Sequence, residues 1–409
     1  MDEPLLRELA KEYLLPLFSG ASLTASEASG PGQQCVAFSS PCAIGFKIDR
    51  RDPYRLFLFR SQPFAKLASG LVSERDVVEA FVSVVREIEP GLGAAYKDDL
   101  LSTFQRRVVA SAIAAPPLQR VTLEALDQLA GWATRLYEGR PISAAVGIDP
   151  GTNGVSVTLK DIRQEDFSAV LTNGFDTLIS FDQVGRLIGH SALTQPNPAP
   201  SFAPYRQGPV AAWAQNGRIA LVLNRLGEIL LYKDQKLLFA RRSGKWRFLT
   251  HEPVLTQMGG TDKLRVRTPV YESCLDASSA RTGACIGVVT SGHLGQWRTI
   301  ATSEADWLNS PISNKAKSIA RMLNGRSFHQ LDRRLRQELL AIDGATLLDH
   351  KGAILAVGAI LQIPGGSTGG GRLAAAKALA KLGLGIKVSQ DGPIQGFRGI
   401  EPQPAFLVM

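Results

Sequence analysis

The stretch from residue 342 to residue 397 constrains the fold most, because apolar segments alternate there with tight turns. Residues 345–348 and 353–363 are apolar and predict two strands. Between them, residues 349–352 begin with Asp and end with Gly, which is typical of a type I turn. Residues 372–382 are rich in Ala, Lys and Leu and predict a helix. The stretch therefore predicts a compact β/α unit in the order strand, turn, strand, loop and helix.

A glycine-rich loop joins the second of these strands to the helix. Its five glycines, one serine and one threonine are Gly365, Gly366, Ser367, Thr368, Gly369, Gly370 and Gly371. Free backbone N–H groups in such a loop, with the positive end of the next helix, favour phosphate binding. A tight turn alone would also explain the glycines. Asp343-Gly344-Ala345 favours the phosphate interpretation, because Asp343 places a carboxylate where a metal ion could bind beside the phosphate.

The order of these motifs resembles that of diadenylate cyclase domains, the nucleotide-binding N-terminal domains of DNA-integrity scanning proteins. The shared features are Asp-Gly-Ala, an apolar strand pair, a Gly/Thr/Arg loop, an Ala-rich helix and a strand ending in Val-Ser. Residues 218–232 resemble the family's first strand pair, so the resemblance covers residues 205–399. It implies an adenine nucleotide or cyclic dinucleotide as ligand, with Mg²⁺ or Mn²⁺ on Asp343 when a triphosphate is bound. The implied nucleotide-binding residues are Asp343, Gly344, Ala345, the loop residues above and Arg372.

Two departures from the family pattern bear on activity. The family carries a His just before its Asp-Gly-Ala, where this chain has Ile342. The family's loop carries an Arg-His-Arg triplet that grips the triphosphate, where this chain has Gly370-Gly371-Arg372. Each lost charge-assisted contact to phosphate costs about 1.5–3 kcal/mol. The resemblance therefore implies a degenerate cyclase-like domain that senses a nucleotide.

Two alternatives stand beside this sensor hypothesis. In the first, the chain is an active diadenylate cyclase that makes cyclic di-AMP from two ATP, with Asp343 as the catalytic metal ligand. The family resemblance implies that such synthesis needs two domains face to face, so a homo-oligomer is compatible with this alternative. In the second, the chain binds nucleic acid and its β/α core is only structural. The absence of a concentrated basic or aromatic platform disfavours nucleic acid as a partner.

The predicted fold class is α/β, with a mixed β-sheet flanked by helices in the C-terminal half and a mainly helical α+β module before it. The predicted divisions are a helical module at 1–145, a hairpin region at 146–190, a Pro-rich linker at 191–204, and a nucleotide-binding domain at 205–402 with an insertion at 249–312. We expect residues 205–399 to form one mixed sheet. Similar turns in three hairpins, at 182–185, 224–227 and 349–352, are compatible with a single sheet.

Composition sets broad limits on the class of protein. The 409 residues are 44% hydrophobic and carry a net charge of +9, as in a mildly basic globular protein that suits phosphate-bearing ligands. No run of 18 apolar residues occurs, and the N-terminus lacks a signal-peptide pattern, so we expect a cytoplasmic protein without a membrane partner. The four cysteines lack C-x-x-C spacing, which argues against a zinc site.

Several local patterns predict structure rather than chemistry. Ser73 and Thr122 are predicted helix caps. Residues 147–154 include Asp-x-Gly-Thr, which is also found where nuclease-like folds bind metal, but we interpret it as a turn. Residues 236–247 predict a cationic edge hairpin. On a helix that we expect to start at Ser327, three arginines form a predicted solvated face: Arg333, Arg334 and Arg336.

Overall fold

The structure is a computed structural model, and it describes residues 1–30, 32–65, 71–93, 95, 97–163, 166–259, 264–363 and 370–409. The chain divides into two compact units, Met1–Thr250 and His251–Met409. Each unit combines helices with a mixed β-sheet, which confirms the predicted α/β class. Among the described helices, none has the length and apolar character needed to cross a membrane.

The first part of the N-terminal unit is an α+β module in which helical residues outnumber strand residues. Its elements are α1 (Glu3–Leu9), β1 (Ala21–Leu23), β2 (Glu27–Ala28), β3 (Val36–Ser40), β4 (Ala43–Phe46), β5 (Tyr54–Arg60), α2 (Glu74–Ile88), α3 (Lys97–Ile113) and α4 (Pro116–Trp132). The predicted cap Ser73 forms a capping box with Asp76 at the start of α2. The cap prediction for Thr122 is wrong, because Pro116 opens α4 earlier and the Thr122 hydroxyl donates to the Leu118 carbonyl at 2.8 Å.

The second part of this unit is a seven-stranded sheet in the order β10-β9-β8-β11-β12-β13-β14. Its elements are β6 (Leu136–Tyr137) and β7 (Arg140–Pro141), which form a separate hairpin, then β8 (Ala144–Ile148), α5 (Leu159–Arg163), β9 (Thr177–Phe181), β10 (Leu187–Ala192), α6 (Gly208–Trp213), β11 (Ile219–Leu223), β12 (Ile229–Lys233), β13 (Lys236–Arg242) and β14 (Lys245–Phe248). Strands β8 and β9 are parallel, and all other neighbours in this sheet are antiparallel. Because β14 is the last strand in the order, the cationic hairpin lies at the sheet edge, as predicted.

The C-terminal unit contains a six-stranded mixed sheet in the order β17-β16-β15-β18-β19-β20. Its elements are α7 (Glu252–Gln257), α8 (Leu264–Ala280), β15 (Ala284–Val289), α9 (Asn314–Leu323), α10 (Arg333–Ala341), β16 (Ala345–Asp349), β17 (Ile354–Ala359), α11 (Gly371–Ala380), β18 (Gly383–Val388), β19 (Ile394–Arg398) and β20 (Phe406–Val408). Strands β15 and β16 are parallel, and the others pair antiparallel. All six residues of β15 are buried, so this strand forms the centre of the unit.

Close contact between helix α11 and the sheet depends on glycine. A Cβ on Gly385 of β18 would lie 1.8 Å from the Ala376 carbonyl oxygen of α11. A Cβ on Gly287 of β15 would lie 2.8 Å from a methyl carbon of Leu379. These two strand positions therefore let the helix backbone approach the sheet surface directly.

The prediction of one sheet over residues 205–399 is wrong. Strands β11–β14 belong to the seven-stranded sheet with β8–β10, and only the strands from β15 onward form the second sheet. The predicted insertion at 249–312 contains β15, the central strand of that second sheet. The unit boundary falls after Thr250, so residues 191–204, the predicted linker, lie inside the N-terminal unit. Turn chemistry is local, whereas strand partners are chosen by burial over long sequence distances, and hairpins of one type pair equally well in either sheet.

The prediction of a solvated arginine face on α10 is also wrong for two of its three residues. Arg333 pairs with Asp276 at 2.8 Å, and Arg336 pairs with Glu272 at 2.9 Å. Both arginines are buried, because α8 presents these two carboxylates to α10. Arg334 is exposed, as predicted. The capping box at Ser327 opens only a short 3-10 turn, and α10 starts after Asp332.

Candidate functional site

One edge of the six-stranded sheet brings together the described parts of the predicted site. Because β15 and β16 are parallel with Cys285 beside Ala345, the residues before the two strands, Gly283 and Asp343, lie at the same edge. Strand β17 ends there, since Ala359 pairs with Ala345. We call this edge, where β15 and β16 begin, the ligand edge.

The start of α11 lies at the ligand edge as well. Its second residue, Arg372, has its carbonyl oxygen 4.0 Å from the Cys285 sulfur near the start of β15. Gly370 caps the helix with a φ of 91°, and a Cβ on Gly370 or Gly371 would meet no atom within 4 Å. The described N-terminus of this ten-residue helix is therefore open, and it carries the positive end of the helix dipole. The loop residues Gly365, Gly366, Ser367, Thr368 and Gly369 lie outside the described residues.

The backbone conformation of Gly344 determines where Asp343 lies before β16. Gly344 has a φ of 104°, and a Cβ there would lie 2.5 Å from the carbonyl carbon of Gly358. Only glycine allows β17 to come this close, so the Asp-Gly sequence turns the chain sharply into β16. Asp343 is exposed, and its carboxylate has no hydrogen-bond or ion-pair partner within the described ranges. Ala345 is buried, so its side chain belongs to the core.

Arg372 lies against the turn that leads into β15. A Cβ on Gly283 would lie 2.8 Å from Nη1 of Arg372 and 3.2 Å from Cγ of Gln390, so these two side chains flank Gly283. Arg372 is half-buried and forms no ion pair with any carboxylate that the structure describes. A guanidinium without a carboxylate partner is available to bind an anion.

The Cys285 thiol, which is close to Arg372, is not a nucleophile. Burial raises the pKa of this thiol to about 12, and the opposing effect of the Arg372 charge is smaller. The thiol therefore stays protonated at neutral pH, where only a thiolate would react. Cys285 is part of the apolar core under α11.

The two departures from the family pattern have different structural consequences. Ile342, in place of His, packs against the sheet, since a Cβ on Gly358 would lie 2.7 Å from its methyl carbon. At Gly370 and Gly371, which stand in place of Arg and His, a Cβ would meet no atom of the described residues within 4 Å. The ligand edge thus lacks an imidazole before Asp343 and has one cation, Arg372, within the predicted triplet.

Sequence reasoning missed one cation beside this edge. The Lys315 ammonium group donates to the Gly358 carbonyl at 3.3 Å and pairs with Asp306. Gly358 in turn contacts Gly344, so Lys315 lies one backbone segment away from Asp343. No sequence motif links Lys315 to Asp343, because helix α9, which carries it, is separated from β16 by helix α10.

The described residues could bind a metal ion only through a single carboxylate, with other ligands from water and substrate. Among the residues that the structure describes, no group of three or more His, Cys, Asp or Glu side chains could hold an ion. Mg²⁺ binds through one or two carboxylates and takes its remaining ligands from water and substrate phosphates. Asp343 is suited to that role, as a single carboxylate beside a bound phosphate.

The Asp-x-Gly-Thr segment at 149–152 is a turn, as predicted. One carboxylate oxygen of Asp149 accepts from the Gly151 amide at 2.9 Å, and the other accepts from Nε of Arg218 at 2.9 Å. Thr152 also donates to this carboxylate at 3.3 Å. The carboxylate is therefore occupied within the chain, and it serves to order the end of β8.

The described residues also line two cavities that contain no predicted site residue. A cavity of about 500 Å³ lies at the opposite edge of the six-stranded sheet, between Thr290, His350, Lys381 and Arg398. A cavity of about 520 Å³ in the N-terminal unit is lined by Trp132, the β6–β7 hairpin and Ala169. Neither of these two cavities is lined by Asp343 or Arg372.

Comparison with known proteins gives little further information. No family model matches the chain, and no curated protein matches it. Among solved structures, the chain is similar to a double cysteine mutant of DacA from Staphylococcus aureus. The match has 19% sequence identity and covers 34% of this chain and 84% of that chain, with a TM-score of 0.23.

Proposed function

We propose that the C-terminal unit binds a phosphate-bearing adenine nucleotide or cyclic dinucleotide at the ligand edge. The observation that carries the proposal is the placement of Asp343, Arg372 and the open N-terminus of α11 at one edge of one sheet. The helix N-terminus and the Arg372 guanidinium supply positive charge for a phosphate. Asp343 supplies the carboxylate for a Mg²⁺ or Mn²⁺ ion shared with that phosphate.

We further propose that the protein is a sensor, which binds a nucleotide but does not catalyse the joining of two nucleotides. Joining two nucleotides requires stabilisation of the charge that grows on the leaving pyrophosphate, which positioned cations and metal ions usually provide. Gly370 and Gly371 supply no cation. Backbone amides remain able to bind phosphate, because they do not depend on side-chain charge.

Calorimetry on the full chain, with ATP and Mn²⁺ and separately with cyclic di-AMP, tests the binding proposal. We expect Asp343→Asn to weaken ATP binding by about tenfold or more, since the variant removes the carboxylate proposed to bind the metal ion. Glu401→Gln is the control, because Glu401 is another exposed carboxylate of the same unit. Equal losses in both variants, or no binding by the unmodified chain, would contradict the proposal.

The alternative function is diadenylate cyclase activity, and the observation that favours it is that the exposed Asp343 carboxylate has no partner among the described residues. Such a reaction needs two bound ATP molecules, so this alternative includes a second copy of the chain as partner. Mass analysis of the products after incubation with ATP and Mn²⁺ separates the two functions. We expect bound nucleotide to be recovered unchanged.

A further inference from the structure

We infer that the N-terminal unit contains a second copy of the fold of the C-terminal unit, and that the ligand edge of this copy is closed. One chain then binds one nucleotide, at Asp343. This inference rests on the proposed function for its ligand, but the evidence for two copies comes from strand order, register and turn geometry alone.

The two larger sheets have the same strand order. The order β10-β9-β8-β11-β12-β13 in the first matches β17-β16-β15-β18-β19-β20 in the second, strand for strand in chain sequence. In each sheet the first two strands along the chain, β8 and β9 or β15 and β16, form the only parallel pair among the described strands. One described α-helix, α6 or α11, lies between the third strand and the fourth, and in the first sheet a 3-10 turn at Tyr205–Gln207 precedes it. The first sheet differs by one added edge strand, β14.

The register of the strands also matches. Val146 of β8 pairs with Ile179 of β9, and Ile286 of β15 pairs with Thr346 of β16. On the other side of the same two strands, Val146 pairs antiparallel with Leu221, and Ile286 pairs antiparallel with Ile386. Asp176 precedes Ile179 by three residues, and Asp343 precedes Thr346 by three. The position of Asp343 is therefore occupied by Asp176 in the first copy.

Matching turns and glycines support this equivalence. Asp182 accepts from the amides of Val184 and Arg186, two and four residues later. Asp349 accepts in the same way from the amides of its second and fourth following residues. Gly147 follows Val146, and Gly287 follows Ile286. A Cβ on either glycine would contact a side chain of the helix in the same copy, α6 or α11. A shared backbone plan with shared close contacts is what two copies of one fold produce.

The first copy differs at the equivalent edge, because its own side chains contact the equivalent positions. The Asp176 carboxylate accepts from the Asn173 amide at 2.7 Å, whereas Asp343 has no partner among the described residues. Gly208 begins α6, and a Cβ there would lie 2.5 Å from Nε2 of Gln195. Gly371 begins α11, and a Cβ there would meet no atom of the described residues within 4 Å.

Two further features reduce anion binding at the first copy. Helix α6 has six residues against ten in α11, and Pro209 in its first turn has no N–H to donate. Arg206, the cation next to this helix, stacks over the Phe175 ring at 3.8 Å. The first copy thus has fewer helix N–H groups that could bind a phosphate, and its nearby arginine contacts a phenylalanine ring.

Calorimetric titration of the full chain with ATP and Mn²⁺, comparing Asp343→Asn with Asp176→Asn, tests the inference. We expect one ATP per chain, a loss of about tenfold or more in affinity for Asp343→Asn, and less than about a twofold change for Asp176→Asn. Two ATP per chain, with one binding event lost in Asp176→Asn, would overturn the closed copy but leave the proposed function intact. If one ATP bound per chain and binding were lost in Asp176→Asn but not in Asp343→Asn, the binding site would be in the N-terminal copy. That result would overturn both the inference and the proposed function. Absence of binding would overturn the proposed function and the inference with it.

Discussion

Arg372 is placed where a cation is unfavourable unless an anion is bound. It lies in the first turn of α11, close to the positive end of the helix dipole, and has no carboxylate partner among the described residues. Its guanidinium lies against Gly283. This unfavourable placement in the free protein is consistent with a ligand-binding role.

We therefore expect Arg372→Ala to weaken ATP binding by about tenfold to a hundredfold, because one charge-assisted contact to phosphate contributes about 1.5–3 kcal/mol. The melting temperature should stay the same or rise slightly. Calorimetry and thermal unfolding check both effects, with Arg321→Ala as the control on an exposed arginine of α9. A lower melting temperature with unchanged binding would show that Arg372 is structural.

His329 provides a prediction about pH. Burial lowers its pKa below the ordinary value of 6.5, and the charges of Arg265 and Arg336 lower it further. The folded protein then binds this proton less readily than the unfolded chain, so stability falls as the pH drops from about 6.5 toward the lowered pKa. We expect His329→Gln to flatten the dependence of the free energy of unfolding on pH over this window. If the free energy of unfolding depended equally steeply on pH in the variant, His329 would not be the group responsible.

At the scale of elements, the buried ion pair between α8 and α10 holds two helices of the C-terminal unit together. Arg333 and Asp276 form two hydrogen bonds, at 2.8 and 2.9 Å, and both residues are buried. Removing one partner leaves the other charge buried without compensation, which costs about 3–5 kcal/mol. We expect this loss in the free energy of unfolding of Asp276→Ala, measured by chemical denaturation.

The control for this prediction replaces both charges. Apolar replacement of a buried ion pair is often neutral, so the double variant Asp276→Leu/Arg333→Leu should be more stable than Asp276→Ala. If the single variant lost less than about 1 kcal/mol, the pair would contribute as little as an exposed one.

The contact of α11 with the sheet gives a second prediction at this scale. A Cβ on Gly385 would lie 1.8 Å from a backbone oxygen of α11, and backbone cannot rotate away as a side chain can. We expect Gly385→Ala to displace the helix and to lower the free energy of unfolding by about 1–3 kcal/mol or more. Gly295→Ala is the matched control, since a Cβ there meets no atom within 4 Å. Similar stability of the two variants in chemical denaturation would show that α11 is packed more loosely.

At the scale of the whole molecule, the expected behaviour is binding without turnover. We expect calorimetry to show micromolar affinity for an adenine nucleotide or a cyclic dinucleotide, a binding free energy of about −8 kcal/mol. Mass analysis should detect no cyclic di-AMP after incubation with ATP and Mn²⁺. Product that forms in the unmodified chain and disappears in Asp343→Asn would contradict this and establish the cyclase alternative.

Elements whose signals lie within a few residues could be predicted before the structure was known. Ser73 and Ser313 cap α2 and α9 because a hydroxyl needs only the amide three residues later, and both were predictable. The turn at Asp349 was predictable for the same reason, since its two hydrogen bonds lie within four residues. The Asp-Gly-Ala and glycine-loop motifs are local as well, so Asp343 and Arg372 could be named from the sequence alone.

Which elements become neighbours depends on packing between distant parts of the chain. Apolar strands such as β11 and β18 have similar patterns, and nothing within either strand selects its sheet. The partners of Arg333 and the central position of β15 were equally hidden, because each depends on residues more than fifty positions away. Burial of apolar surface across the whole chain makes that choice, and it alone brings Asp343 and the start of α11 to one edge and leaves Asp176 beside Asn173.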